Sequence, residues 1–183
     1  MKYFIILSAL FASIVACNTP AEAPKTAGFS NIWDYDATGG IMIGNQESVE
    51  LLNDYIEKHN TRDYEGIRAM NIDSIQISGP GGEQILTSDE HIAFLKTWFE
   101  QADTKWKPVW GTSVKGVNDE FGSMVLSVFD TKTTTKDSII RTNDLIQAYV
   151  SNEGKIVAFW VNSRQLTEKE LADIAAAENA GTN

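Results

Sequence analysis

The chain has 183 residues, with 15 Lys and Arg against 25 Asp and Glu and a formal charge of -10. That acid excess excludes nucleic acid as a partner, because phosphate binding needs a clustered basic face, and 43% hydrophobic residues exclude wholesale disorder. A single cysteine excludes an intrachain disulfide and any multi-cysteine metal site.

The first predicted element is a leader. Lys2 is a short basic start, and Tyr3 to Val15 is apolar except for Ser8 and Ser13. This run is shorter than the roughly 20 residues of a spanning helix and suits the apolar core of a signal peptide. Ile14-Val15-Ala16-Cys17 resembles the lipobox of bacterial lipoproteins. The resemblance implies removal of residues 1–16 as a signal peptide, acylation of Cys17, and attachment to the membrane through that lipid. It places the protein in the bacterial cell envelope, facing the periplasm. Asn18, where an acidic residue would favour the inner membrane, points to the outer one. Residues 17–28 then form the lipidated cysteine and a flexible tether, since the stretch is rich in Pro and Ala without an apolar period.

Residues 29–45 hold Ile32, Trp33, Tyr35, Ile41, Met42 and Ile43 and read as an N-terminal arm packed on the domain. Asp34 to Gly39 looks like the start of a calcium loop, but Asn45 stands where that loop needs Glu, so a capped turn is the simpler account and no metal site is predicted.

From Asn45 onward Val49, Leu52, Ile56 and His59 recur at helical spacing, with Leu51 and Tyr55 widening the apolar face. Asn45 can cap this helix, and Glu47 and Glu50 suit its positive end. Arg62 to Met70 reads as a second short helix, and Ile72 to Ile77 as a strand. Ser78 to Gly82 is a turn. Thr87-Ser88-Asp89-Glu90 is a capping box that opens a helix bearing Ile92, Leu95, Trp98, Phe99 and Ala102 on one face. The period then changes. A strand opens at Trp106 and runs to Val117, and Met124 to Phe129 is a second strand, apolar enough to be buried on both faces. Thr131 to Asp137 reads as a polar hairpin loop, Ser138 to Val150 as a strand, Ser151 to Lys155 as a tight turn, and Ile156 to Ser163 as a strand. Thr167 to Glu170 opens a last helix with Leu171 and Ile174 on its face. Helices segregated from hairpin-connected strands define an α+β fold: a curved antiparallel sheet wrapped over about three helices, plus a C-terminal helix. Such a sheet encloses a pocket.

Three segments are similar to the nuclear transport factor 2-like superfamily, which includes SnoaL-like cyclases and ketosteroid isomerases. They are Arg62-Asp63-Tyr64-Glu65-Gly66-Ile67 between the first two helices, Met70 to Ile77 at the first strand, and Gly154-Lys155-Ile156 before the last. The resemblance implies a cone-shaped domain over residues 46–166, followed by a C-terminal helix and tail over 167–183. It does not imply a function, because this scaffold hosts enzymes, binders and transport factors.

Carried over residue by residue, the resemblance puts Tyr55 at the place of an oxyanion-donating tyrosine. It puts Ile77, or Ser78 if the register shifts by one, at the place of the catalytic base. Ile146 takes the place of a second acid, with Asp144 two residues earlier on the same face. Proton abstraction needs a carboxylate within reach of the substrate carbon, and Ile77 supplies none. The cyclases and dehydratases of this family favour His with Asp in the pocket. His59 and His91 are the chain's two histidines, and neither falls on a pocket strand in this reading. On the last strand the resemblance turns Phe159, Val161 and Ser163 to the pocket and Trp160 outward.

The expectation is a lipid-anchored envelope protein that binds a small apolar molecule without catalysis and without a cofactor. The predicted lining is Tyr55, Ile77, Trp98, Trp110, Ile146 and Phe159, with Asp144 near the mouth. One alternative is a cyclase, isomerase or hydratase using Tyr55 and Asp144. Another is an interaction module of the envelope working through the outer sheet face and the Trp33 arm. That outer face is also the expected homodimer surface.

Overall fold

The structure, a computed structural model, describes residues 25–28, 40–117 and 122–180. The leader, Cys17, Trp33 and the calcium-like run from Asp34 to Gly39 lie outside the described residues. In chain order the elements are β1 (Ile41–Ile43), α1 (Gln46–Thr61), α2 (Tyr64–Met70), β2 (Asn71–Ser78), β3 (Gln84–Ile85), α3 (Ser88–Gln101), β4 (Ala102–Gly116), β5 (Gly122–Thr135), β6 (Ile139–Ser151), β7 (Ile156–Gln165) and α4 (Glu168–Ala180).

The helices begin where side chains satisfy their first amides. Asn45 Oδ1 accepts from Ser48 N at 3.1 Å, and Asp63 Oδ1 accepts from Gly66 N at 2.9 Å. A Cβ on Gly66 would stand 2.1 Å from Asp63 Oδ2. The Asp63-to-Gly66 spacing is therefore a cap together with the room it needs. Between the two helices Arg62 adopts a left-handed φ of 60° and donates its amide to the carbonyls of His59 and Lys58. At α3 both halves of the capping box form between Thr87 and Glu90.

The seven strands make one sheet in the order β1-β4-β5-β6-β7-β2-β3. The predicted sheet is antiparallel, and the observed one is mixed. β4 to β7 form an antiparallel meander, but β2 lies parallel to β7, with Ile77 beside Phe159. Parallel neighbours need a long crossover, and everything from β3 to β6 supplies it. Two further corrections concern β5. It runs to Thr135, so Thr131 to Thr135 is strand, paired with β4 from Trp106 back to Ala102. And the run from Met124 to Phe129 is buried on one face: Val125, Ser127 and Phe129 are buried, whereas Met124, Leu126 and Val128 are half-buried. Alternation hidden under an all-apolar run, then carried on by threonines, defeats a reading that equates strand with hydrophobicity.

The helices α1, α2 and α3 pack on the inner face of this sheet, where Leu52, Tyr55, Ile56, Ile67, Ile92 and Leu95 meet Ile75, Phe129, Ile146 and Phe159. The end of the expected tether is pinned to the domain, because Ala27 and Ile41 exchange backbone hydrogen bonds of 2.8 and 3.1 Å. The helix α4 buries no residue, and ion pairs from Arg164 to Glu170 and from Arg141 to Glu178 tie it to the sheet. Among the described residues no helix is long and apolar enough to cross a membrane.

Candidate functional site

A cavity of about 300 Å³ lies between the helices and the inner sheet face. Ile56 and His59 reach it from α1, and His91, Phe94, Leu95 and Trp98 from α3. Trp106 enters from β4, Asp144 and Ile146 from β6, and Phe159, Val161 and Ser163 from β7. Ile77, Ile85, Glu83 and Pro80 close the β2–β3 side. Phe94, Trp98 and Ile140 are lining residues that remain 36%, 38% and 45% exposed, so they form the mouth.

Five of the seven predicted lining residues line the cavity, Ile77, Trp98, Asp144, Ile146 and Phe159, but Asp144, expected near the mouth, is buried. Val161 and Ser163 share the face of Phe159, with Trp160 on the other. Trp110 is not in the cavity; it is half exposed on the outer face. The cause is a bulge. Trp106 opposes Thr131 and Pro108 opposes Phe129, but Trp110 opposes Val128, because the register shifts between Pro108 and Trp110. Directly opposed residues share a face, and one extra residue reverses the alternation. Proline, which cannot donate to the ladder, sits at that break.

Tyr55 is also displaced from its predicted role. It is fully buried behind the lining, and its hydroxyl donates to Asn71 Oδ1 at 2.7 Å. Burial raises the phenol's pKa far above its ordinary value, with the Asn71 bond opposing only in part. Tyr55 touches both histidines. Its carbonyl accepts 2.7 Å from His59 Nδ1, and its hydroxyl lies 3.4 Å from His91 Nδ1.

Both histidines line the cavity, contrary to the sequence reading. His59 ends the apolar face of α1, one turn beyond Tyr55, and is only 4% exposed. Its Nδ1 must carry the proton, since a carbonyl can only accept. Its Nε2 is therefore a bare lone pair, and it has no hydrogen-bond partner among the described residues. Burial depresses the pKa of His59 to about 4, partly offset by the bond to the Tyr55 carbonyl, so the ring is neutral at pH 7. His91 falls to about 3, first through burial and then through the adjacent His59. Its Nδ1 accepts from Asn71 Nδ2 at 3.3 Å, which puts the proton of the neutral ring on Nε2. His59 stacks on Phe159 with ring centroids 6.4 Å apart.

Asp144 points inward and is 3% exposed. Three donors hold it: Trp106 Nε1 at 3.2 Å and Thr131 Oγ1 at 2.7 Å to Oδ2, and Thr142 Oγ1 at 2.8 Å to Oδ1. None of these three donors is among the residues the sequence places in the site. Thr131 falls in the expected hairpin loop, and the strand reading turns Trp110 rather than Trp106 to the cavity because the bulge between them leaves no local signal. The remaining polar wall is a chain from Trp98 Nε1 to Thr104 Oγ1 at 3.0 Å, and from there to Thr133 Oγ1 at 3.0 Å. Among the described residues no three His, Cys, Asp or Glu side chains converge as a metal site would require.

No family model matches the sequence, and no curated protein matches it. Solved structures do match in shape. An NTF2-like protein of unknown function from Burkholderia pseudomallei superposes with a TM-score of 0.55 at 16% identity, over 66% of this chain and 92% of that one. A ketosteroid isomerase-like protein from Erwinia carotovora atroseptica gives 0.54 at 15%, over 67% and 99%. An LEH-like epoxide hydrolase from Mycobacterium tuberculosis gives 0.54 at 12%, over 64% and 83%. At such identities the likeness is one of fold: helices packed inside a curved mixed sheet, consistent with the cone-shaped fold of nuclear transport factor 2-like proteins.

Proposed function

We propose that the chain is a lipid-anchored protein of the cell envelope whose cavity binds, without turning it over, a small molecule with a large apolar body and one hydrogen-bond donor. The observation that carries this reading is the unpartnered Nε2 of a neutral, buried His59 in a cavity walled by Phe, Trp, Leu and Ile side chains. A buried acceptor without a donor is destabilising on the order of 1–3 kcal/mol, and a ligand O–H or N–H would relieve it. The noncatalytic reading is supported by Ile77 at the place of a base and by the Tyr55 hydroxyl, which is committed to Asn71 outside the lining.

The test uses 2-naphthol and its methyl ether, which differ by one donor and suit the cavity volume. Tryptophan fluorescence of Trp98 and Trp106 reports binding. Naphthol is expected to bind about tenfold more tightly than the ether, as one good hydrogen bond allows. His59→Phe should abolish that preference. Failure of both compounds to bind would overturn the reading.

A second reading, an enzyme of the isomerase or hydratase type, has one observation in its favour: the buried Asp144 lines the same cavity as the neutral His59. Incubating 2-tetralone with the protein in D₂O tests it. Deuterium uptake on carbon that disappears in Asp144→Asn would establish proton abstraction and displace the noncatalytic reading. The outer sheet face, where Trp110, Val128 and Leu145 stand opposite one another across β4, β5 and β6, is the surface we assign to a second copy of the chain.

A further inference from the structure

We infer that the ligand is a cation: a small amine whose ammonium group sits against Asp144 and whose apolar body fills the aromatic part of the cavity. The inference rests on the binding reading above and names the chemical class of its donor. The charges around the cavity point one way. The lining includes two acidic residues, the buried Asp144 and Glu83, whose carboxylate accepts from Gly81 N in the exposed β2–β3 turn, and no lysine or arginine. Asp144 is almost wholly buried and has no ion-pair partner among the described residues. A buried carboxylate ordinarily finds a cation as well as hydrogen bonds. Here three neutral donors orient it, and they leave one lone pair of Oδ1 open, since a carboxylate accepts about four hydrogen bonds.

The other walls fit the same guest. Trp106, Trp98, Phe94 and Phe159 line the cavity, and aromatic rings attract ammonium groups. The two histidines are neutral at pH 7, so they do not repel a cation, and His59 Nε2 offers a second acceptor to an N–H. An anionic guest would meet Asp144 with no cation to offset it. A neutral guest could satisfy His59 but would leave the Asp144 charge unpaired.

Three compounds that share one ring separate these cases at pH 7: 2-naphthylmethylammonium, 2-naphthylmethanol and 2-naphthoate. Their dissociation constants are measured by titration calorimetry with the full chain in detergent. The ammonium should bind tighter than the alcohol by about tenfold or more, as a charge-assisted bond allows, and the carboxylate should bind weakest. In Asp144→Asn the ratio of ammonium to alcohol affinity should fall to about one, provided its melting curve shows a folded protein; the wild-type series decides the matter without that variant. Equal affinities for ammonium and alcohol, or a preference for the carboxylate, would overturn the cation while leaving the apolar binding site standing. Failure of all three to bind would overturn both.

Discussion

The two histidines set a limit on acid stability. In the unfolded chain each titrates near its ordinary value of about 6.5. In the fold burial holds them at about 4 and about 3. Their folded values lie below their unfolded ones, so below pH 6.5 the unfolded state binds protons that the folded state refuses. Stability contributed by the neutral rings is complete above the unfolded value and is lost as the pH falls toward the folded values. With both rings involved, the slope is on the order of 3 kcal/mol per pH unit between roughly pH 6 and 4. Urea unfolding at half-unit pH steps should show this fall, and a His59→Gln, His91→Gln protein should show a flatter profile across the same window. An unchanged slope in the double variant would mean that the buried rings are not the groups responsible. Of this arrangement the sequence exposed only one part. His59 was legible as the last apolar-face residue of α1, because it follows Tyr55 by one turn. Its placement in the cavity was not, because that depends on how far α1 runs along the sheet, and a helical period carries no such information. The Asn71 amide that joins Tyr55 to His91 was hidden by being a polar residue at a strand's first position.

Elements were legible where the cue was local. The capping box at Thr87 and Glu90 is a four-residue signal, and it formed as read, with Thr87 Oγ1 accepting from Glu90 N at 3.2 Å and Glu90 Oε2 accepting from Thr87 N at 3.2 Å. The helix it starts carries His91, Leu95 and Trp98 into the cavity. Thr87→Ala should therefore lower stability by about 1 kcal/mol, and the melting temperature by about 2–4 °C. Thr87→Ser should recover most of it, because the hydroxyl survives. An alanine variant with an unchanged melting temperature would show that tertiary packing alone sets the start of α3. Features that depend on pairing between distant strands were not legible. The bulge at Pro108 is decided by how β4 meets β5, and the parallel β2–β7 pair by a crossover that spans most of the domain. In both cases the segment was recognised as a strand, and its orientation was settled by a partner far away in sequence. The misplacement of Trp110 and the omission of Trp106 are two results of that single gap.

At the scale of the whole molecule, the proposed attachment and the proposed recognition fall to different parts of the chain. The domain carries the cavity, and we assign the anchor to Cys17, ahead of it. The nine residues between Cys17 and the pinned Ala27 reach about 30 Å at full extension, so an anchored domain would work close to the bilayer. The domain's own surface would not hold it there. The whole chain carries a net charge of -10, which anionic headgroups repel, and among the described residues no helix is long and apolar enough to cross a membrane. Acyl chains would have to supply the affinity, at about 0.8 kcal/mol per buried CH₂, with more than one chain needed for stable attachment. Cys17→Ser should move the protein from the membrane pellet to the soluble fraction while leaving the melting temperature and naphthol binding of the domain unchanged. Retention of the serine variant in the pellet, after a salt wash that removes loosely held protein, would mean that something other than a lipid on Cys17 holds the chain. The anchored reading would then fall without touching the cavity.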